Sequence, residues 1–198
     1  MSAPTDEELL AEYLAGHADR FELLVRRHSD ELFRFVVRFT GNAATAEDIV
    51  QEAFLQVHLA ASSFDRQRRF KPWLFTIAAN KARDMLRGRA RRPEVPLDAF
   101  VGTGDDEEGR RFLDFLADPS GAPAGILETD ERKELVRKIV QAMPAHLREV
   151  LVLAYFHRFP YMDMAEILGI PLGTVKSRLH AAVACFAKAY QAAVREDA

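Results

Sequence analysis

Cysteine is nearly absent from this 198-residue chain, in which Cys185 stands alone. One thiol excludes an intramolecular disulfide and a cysteine-based zinc site. Cys185 falls on or beside the apolar side of a helical pattern, so a structural role is expected for it. Long apolar runs are also missing, and nothing approaches the length needed to span a bilayer. The acidic start of the chain lacks a secretory pattern. A cytoplasmic protein without membrane insertion is therefore expected. There is no glycine-rich phosphate loop, no HExxH and no serine in a nucleophile elbow. The six histidines, at 17, 28, 58, 146, 157 and 180, lack the spacing of metal ligands. No catalytic residue, metal or cofactor is expected, and any catalysis would belong to a partner. Alternating strand patterns are absent as well, which leaves an all-α fold.

What is present is charge, segregated along the chain. The net charge of −3 and the hydrophobic content of 48% are unremarkable for a soluble chain. Residues 66–92 hold ten Lys or Arg against the single acid Asp84, a net of +9. Residues 93–131 hold eleven Asp or Glu against Arg110 and Arg111, a net of −9. A local block of positive charge attracts polyanions even when the whole molecule is near neutral. The acidic block is rich in Pro and Gly and can bury little apolar surface, so it reads as a linker. Within it, Phe112, Leu113, Phe115 and Leu116 allow one helical turn.

Helical periodicity organises the rest. A first helix opens at Thr5, Asp6 and Glu7 and runs to about Ala15. A second spans 18–39, with room for a break after His28, and stops at Gly41 and Asn42. Thr45 followed by Asp48 resembles a capping arrangement for a third helix, which turns Ile49, Val50, Ala53, Phe54 and Val57 inward. After a polar loop at 64–69, a long helix runs from Pro72 towards Arg89, with the proline tolerable only in its first turn. Beyond the linker, Leu135, Ile139 and Met143 mark one helix, and Leu147, Val150, Leu151 and Tyr155 the next. The expected domains are 1–93, a linker over 94–129, and 130–198.

Residues 160–188 carry the most specific pattern. Tyr161, Ala165 and Leu168 form the apolar face of a short helix. Gly169 stands where a helix ends in a left-handed residue, and Pro171 suits a helix start. Val175, Leu179, Ala182, Val183 and Phe186 share one face of a second helix. Thr174, Lys176, Ser177, Arg178 and His180 occupy the other. A face of hydroxyls and cations suits a major groove, with base edges and phosphates as partners. This is the layout of a DNA-reading helix-turn-helix, although periodicity alone also describes an ordinary helical hairpin with a solvated basic face.

Three segments resemble one family, in order and at the right distances. EILGIPLGTVKSRLHAA (166–182), AEDIVQEAFLQVH (46–58) and FKPWLFTIAANKARDMLRGRARR (70–92) are similar to the signature regions of extracytoplasmic-function (group IV) sigma factors, the promoter-recognition subunits of bacterial RNA polymerase. The resemblance covers roughly 1–95 and 130–195. It implies a sigma factor with core RNA polymerase and promoter DNA as partners, and an anti-sigma factor as regulator. One departure is the run Met162, Asp163 and Met164, where the family commonly has a glutamate closer to the tyrosine.

Taken alone, the polar side of helix 46–59 reads as a solvated face. The resemblance implies that it docks on a coiled coil of the largest polymerase subunit, through Asp48, Gln51, Glu52 and Leu55. The segment 64–92 mixes aromatics with cations, as single-stranded nucleic acid requires: bases stack on rings and cations follow phosphates. The resemblance implies that it melts the promoter and reads the minus-10 element, through Phe64, Arg66, Arg69, Lys71, Trp73, Asn80, Lys81, Arg83 and Arg87. The loop 64–69 stands where these factors capture an extruded base. Leu74, Phe75, Ile77 and Ala78 are expected in the core, whereas Trp73 fits core and nucleic-acid contact equally well. Arginines 87, 89, 91 and 92 share no helical face and could instead clamp backbone phosphates. For the upstream, minus-35 element the implied residues are Thr174, Lys176, Ser177, Arg178 and His180. Two other readings stay open at this level: a stand-alone helix-turn-helix regulator, which would not need 46–58 with 64–92, and a sigma mimic that titrates an anti-sigma factor.

Overall fold

The structure is a computed structural model that describes residues 3–65, 67–89 and 129–196. The expected linker over 94–129 lies outside the described residues except for Thr129, and so does the Phe112–Leu116 turn. Among the described residues all regular structure is helical. The chain divides into two compact units, the first built on α1 to α4 and the second on α5 to α8.

In the first unit, α1 (Asp6–Leu14) begins with a reciprocal cap. The Thr5 hydroxyl accepts from the Glu8 N–H at 3.2 Å, and Glu8 Oε2 accepts from the Thr5 N–H at 2.7 Å. Together they satisfy two of the donors that a helix start leaves unpaired. Helix α2 (Ala18–Thr40) runs through His28 without the break that the sequence allowed. Leu24, His28, Leu32, Phe35, Val36 and Phe39 form its buried stripe. A histidine is tolerated there because its Nε2 donates to Asp6 Oδ2 of α1 at 2.7 Å. Gly41 ends α2 with a φ of 75°, its N–H donating to the Val37 carbonyl at 2.8 Å.

Helix α3 (Ala43–Ala60) starts earlier than the Thr45–Asp48 pattern predicts. Asn42 is extended at φ −137° and its Oδ1 accepts from the Thr45 N–H at 2.8 Å. Gly41 and Asn42 thus end one helix and cap the next, and Asp48 is left on the helix surface. Ala46, Ile49, Ala53, Phe54 and Val57 are buried, while Val50 is only half-buried. A 3-10 turn, Ala61–Ser63, leads into the loop before α4 (Phe70–Arg89). Pro72 lies in the first turn of α4, where its missing N–H costs nothing. Helices α1, α3 and α4 all pack on α2. The core between them is largely aromatic, with Phe35 5.2 Å from Phe75 and 6.0 Å from Phe39 between ring centroids.

The second unit contains α5 (Thr129–Ala142), α6 (Ala145–Leu151), α7 (Tyr161–Leu168) and α8 (Leu172–Glu196). Arg148 fastens α6 to α5 by donating to Gln141 Oε1 at 3.1 Å and to the Met143 carbonyl at 2.9 Å. Burial pushes its guanidinium below its usual value. Helix α6 widens into a π turn over Val152–Phe156. It then ends through Arg158, whose φ of 53° is left-handed, and the Phe159 N–H donates back to the Leu153 carbonyl at 3.1 Å. The buried stripe of α7 is Met164, Ile167 and Leu168. The expected face of Tyr161, Ala165 and Leu168 is therefore rotated, with Tyr161 and Ala165 half-buried at its edge. Gly169 takes a φ of 64°, and the Ile170 N–H reaches the Ala165 carbonyl at 3.2 Å. That 6→1 bond is the left-handed helix ending expected of a turn glycine. The Pro171 carbonyl then accepts from Thr174 and Val175, starting α8.

Candidate nucleic-acid and partner interfaces

One surface lies on α3. Asp48, Gln51, Glu52 and Leu55 are all exposed, Leu55 by 57%. Leu59, one turn further, is 66% exposed and extends the same stripe. Sequence reasoning missed Leu59, although the Leu55–Leu59 spacing of four places both leucines on one face. Glu52 does not stand alone, because Lys81 Nζ of α4 lies 2.9 Å from its Oε2.

A second surface follows α4. Trp73, Asn80 and Arg87 recur every seven residues and lie within roughly 40° of one another around the helix. Trp73 is half-buried, with its ring centroid 4.6 Å from that of Phe64 and 6.0 Å from that of Phe70. It is thus neither a core residue nor a free platform. Asn80 is exposed, and its Oδ1 accepts from Arg83 at 2.5 Å, so guanidinium and amide are held side by side. Arg87 is exposed and pairs with Asp84 at 3.2 Å. Arg69 is exposed just before the helix. Lys71 does not join this group. It sits roughly 160° around the helix from Trp73, pairs with Glu31 of α2 at 2.7 Å and lies 5.9 Å from the Phe75 ring centre. Its charge serves α2–α4 packing, because position 71 falls on the inward side. Leu74, Phe75 and Ala78 are buried as expected, and Ile77 is half-buried. Arg66 and the arginines at 91 and 92 lie outside the described residues.

The third surface is on α8. Val175, Leu179, Ala182 and Phe186 are buried. Ser177 lies nearly opposite their mean direction, flanked by Thr174 and Arg178 on one side and by His180 and Lys176 on the other. Lys176 and Ser177 are exposed, and the other three are half-buried. The Ser177 hydroxyl donates to the Thr174 carbonyl at 3.2 Å, which leaves its oxygen as an acceptor. On α7, Met162 is 68% exposed and Asp163 is buried. The departure noted in the sequence thus splits into one outward residue, Met162, and two inward ones, Asp163 and Met164. Among the described residues no group of three or more His, Cys, Asp or Glu is placed to hold a metal ion, and no helix is long and apolar enough to cross a membrane.

The family model for Sigma-70 region 2 matches residues 24–92, and that for Sigma-70 region 4 matches residues 133–186. The RNA polymerase sigma-H factor of Pseudomonas aeruginosa is 34% identical over 193 residues, which cover 96% of each chain. This chain belongs to the sigma-70 family of RNA polymerase sigma factors. The ECF RNA polymerase sigma factor SigW of Bacillus subtilis is 34% identical over 166 residues, 83% of this sigma factor and 86% of that one. The extracytoplasmic-function group is thereby indicated within the family. Two solved structures share the fold at 24% identity. They are CnrH in complex with the cytosolic domain of CnrY (TM-score 0.67, covering 94% of this chain and 97% of that one) and the sigma factor RpoE of Bartonella quintana in complex with the anti-sigma factor NepR (TM-score 0.61, 86% and 96%). Region 2 takes in the α3 and α4 surfaces, and region 4 takes in the α8 surface. As a sigma factor, the chain directs transcription initiation by RNA polymerase, and the family is not one of enzymes.

Proposed function

We propose that each surface has a separate task in initiation. Asp48, Gln51, Glu52 and Leu55, extended by Leu59, dock on core polymerase in the cytoplasm. Carboxylates and amides set register against a basic helical partner, while the two leucines supply the desolvated contact. Phe64, Arg69, Trp73, Asn80, Lys81, Arg83 and Arg87 hold the melted minus-10 strand. Thr174, Lys176, Ser177, Arg178 and His180 enter the major groove of the minus-35 element.

The observation that carries this reading is the α4 stripe. An aromatic ring, an amide and a guanidinium repeat along one side of a helix with further cations beside them, which is the composition that single strands require. An anti-sigma protein is the proposed regulator, supported by the RpoE–NepR complex of the same fold. Run-off transcription with purified core polymerase tests the reading. Promoter-specific transcripts should appear only when this chain is added and should disappear with Trp73→Ala combined with Asn80→Ala. Specific promoter binding by the chain without polymerase, together with no transcript, would instead indicate a stand-alone regulator.

A further inference from the structure

Three consecutive acids open α1, and each has a different partner. Glu8 closes the cap on Thr5. Asp6 accepts from Arg27 at 3.0 Å and from His28 at 2.7 Å, both on α2. Glu7 reaches furthest: its Oε1 accepts the backbone N–H of Phe70 at 2.8 Å, across a sequence separation of 63. Phe70 is the first residue of α4. The first N–H groups of a helix have no partner within it. Arg69, which precedes Phe70, offers no side-chain acceptor. The first helix of the chain therefore supplies the missing acceptor at the start of α4.

Phe70 is also the point on which the 64–69 loop rests. Its side chain is fully buried, and its ring centroid is 5.5 Å from that of His28, the residue held by Asp6. At the other end of the loop, Phe64 packs its ring 6.4 Å from Phe70 and 4.6 Å from Trp73. Between these ends Asp65 folds the chain, its Oδ1 accepting from Gln67 and its carbonyl from Arg68, both at 2.9 Å. Glu7 fixes the backbone of Phe70 while Asp6 fixes the ring beside it. The orientation of the loop and of Trp73 is thus referred back to α1.

We infer that Glu7 is a positioning residue for promoter reading: its bond to the Phe70 N–H sets where Phe64, residues 67–69 and Trp73 stand. Selectivity at the minus-10 element then depends on a side chain assigned no contact with DNA. The inference rests on the proposed role of Phe64, Arg69 and Trp73 in minus-10 reading. It makes Glu7 more than a stabilising contact, because a loop displaced at its anchor reads differently even in a folded protein.

The test uses holoenzyme and two promoter libraries, one randomised at the minus-10 element and one at the minus-35 element, with transcripts sequenced. Glu7→Ala removes the acceptor. Glu7→Asp keeps the charge but withdraws the acceptor by one methylene, and carries the test if the alanine variant does not fold. Glu7→Gln keeps an acceptor oxygen at the same reach. Both shortened variants should flatten preference at one or two minus-10 positions by about tenfold, equivalent to about 1.4 kcal/mol of discrimination. Minus-35 preference should be unchanged, and Glu7→Gln should match the wild type. Lower thermal stability or uniformly lower transcription with an unaltered minus-10 profile would overturn the inference. A loop variant, Gln67→Ala with Arg69→Ala, separates the two layers. If it leaves the minus-10 profile intact, the loop reading and the inference both fall; if it alters the profile while the shortened Glu7 variants do not, only the inference falls.

Discussion

Lys81 Nζ stands 2.9 Å from Glu52 Oε2, so the helix proposed for DNA and the helix proposed for polymerase are joined by one ion pair. Glu52 is 61% exposed and Lys81 29%, which limits the pair itself to about 0–1 kcal/mol of stability. Its consequence is for interpretation: reversing Glu52 also disturbs Lys81.

Asp48 has no such complication among the ion pairs described here, so Asp48→Lys is the cleaner probe of polymerase binding. Together with Glu52→Lys it should weaken core binding by about 2–5 kcal/mol if both carboxylates enter desolvated pairs. Helix content should not change. Wild-type affinity for core in the double variant, measured by competition against a labelled sigma factor, would remove α3 from the interface. Lys81→Met with Glu52 intact should lower affinity for single-stranded minus-10 DNA in the holoenzyme while leaving core affinity close to wild type.

Arg178 and Lys176 flank Ser177 on opposite sides of α8, and their roles should separate. Arg178→Ala should cost about 1–3 kcal/mol at a site with the preferred base and relax specificity at one position. Lys176→Ala should weaken binding evenly across sequences and flatten the salt dependence. A promoter-library selection in which Arg178→Ala keeps the full upstream preference would assign Arg178 to the backbone.

The helices were legible, with the buried faces of Ile49–Val57 and Val175–Phe186, because helical periodicity survives there, whereas the face of α7 was read rotated. The turn at Gly169 was legible because glycine is the residue that takes a positive φ at little cost. What failed was local competition. Asn42 caps α3 more effectively than Thr45, because it directly follows the left-handed Gly41 and is already extended. Lys71, which the family resemblance places at the minus-10 element, pairs with Glu31 of α2, and such pairing across helices has no one-dimensional signature. The same holds for Glu7 and Phe70, whose separation of 63 leaves no local trace. The surfaces of α3 and α8 were readable mainly through family resemblance, since exposed polar faces carry little signal of their own.

Arg158 offers a stability prediction independent of function. It is exposed and holds a φ of 53° at the end of α6, a conformation that costs an ordinary L-residue about 1–2 kcal/mol. Arg158→Gly removes that strain but adds freedom to the unfolded chain. The net should be a gain of about 0.5–1 kcal/mol, seen as slower amide exchange along α6. Faster exchange would mean that the arginine side chain contributes more than its backbone costs.

Asp6 makes stability depend on pH in one direction. Burial raises its pKa, but the hydrogen bond and charge of His28, followed by those of Arg27, outweigh burial and hold the carboxyl below its ordinary value of 3.8. The folded state therefore binds the proton less readily than the unfolded state. The stabilisation is complete above the ordinary carboxylate range and is lost as pH falls through the lowered folded value. Asp6→Asn should cost about 1.5–3 kcal/mol near neutral pH, as expected for hydrogen bonds to charged groups. The gap between variant and wild type should close as the pH drops below about 3.8. Trp73 is the only tryptophan of the chain and lies in the first unit, so its fluorescence during urea unfolding reports on the unit that contains the α1–α2 clamp. A gap that stays constant down to the acid transition would show that Asp6 acts through shape rather than charge.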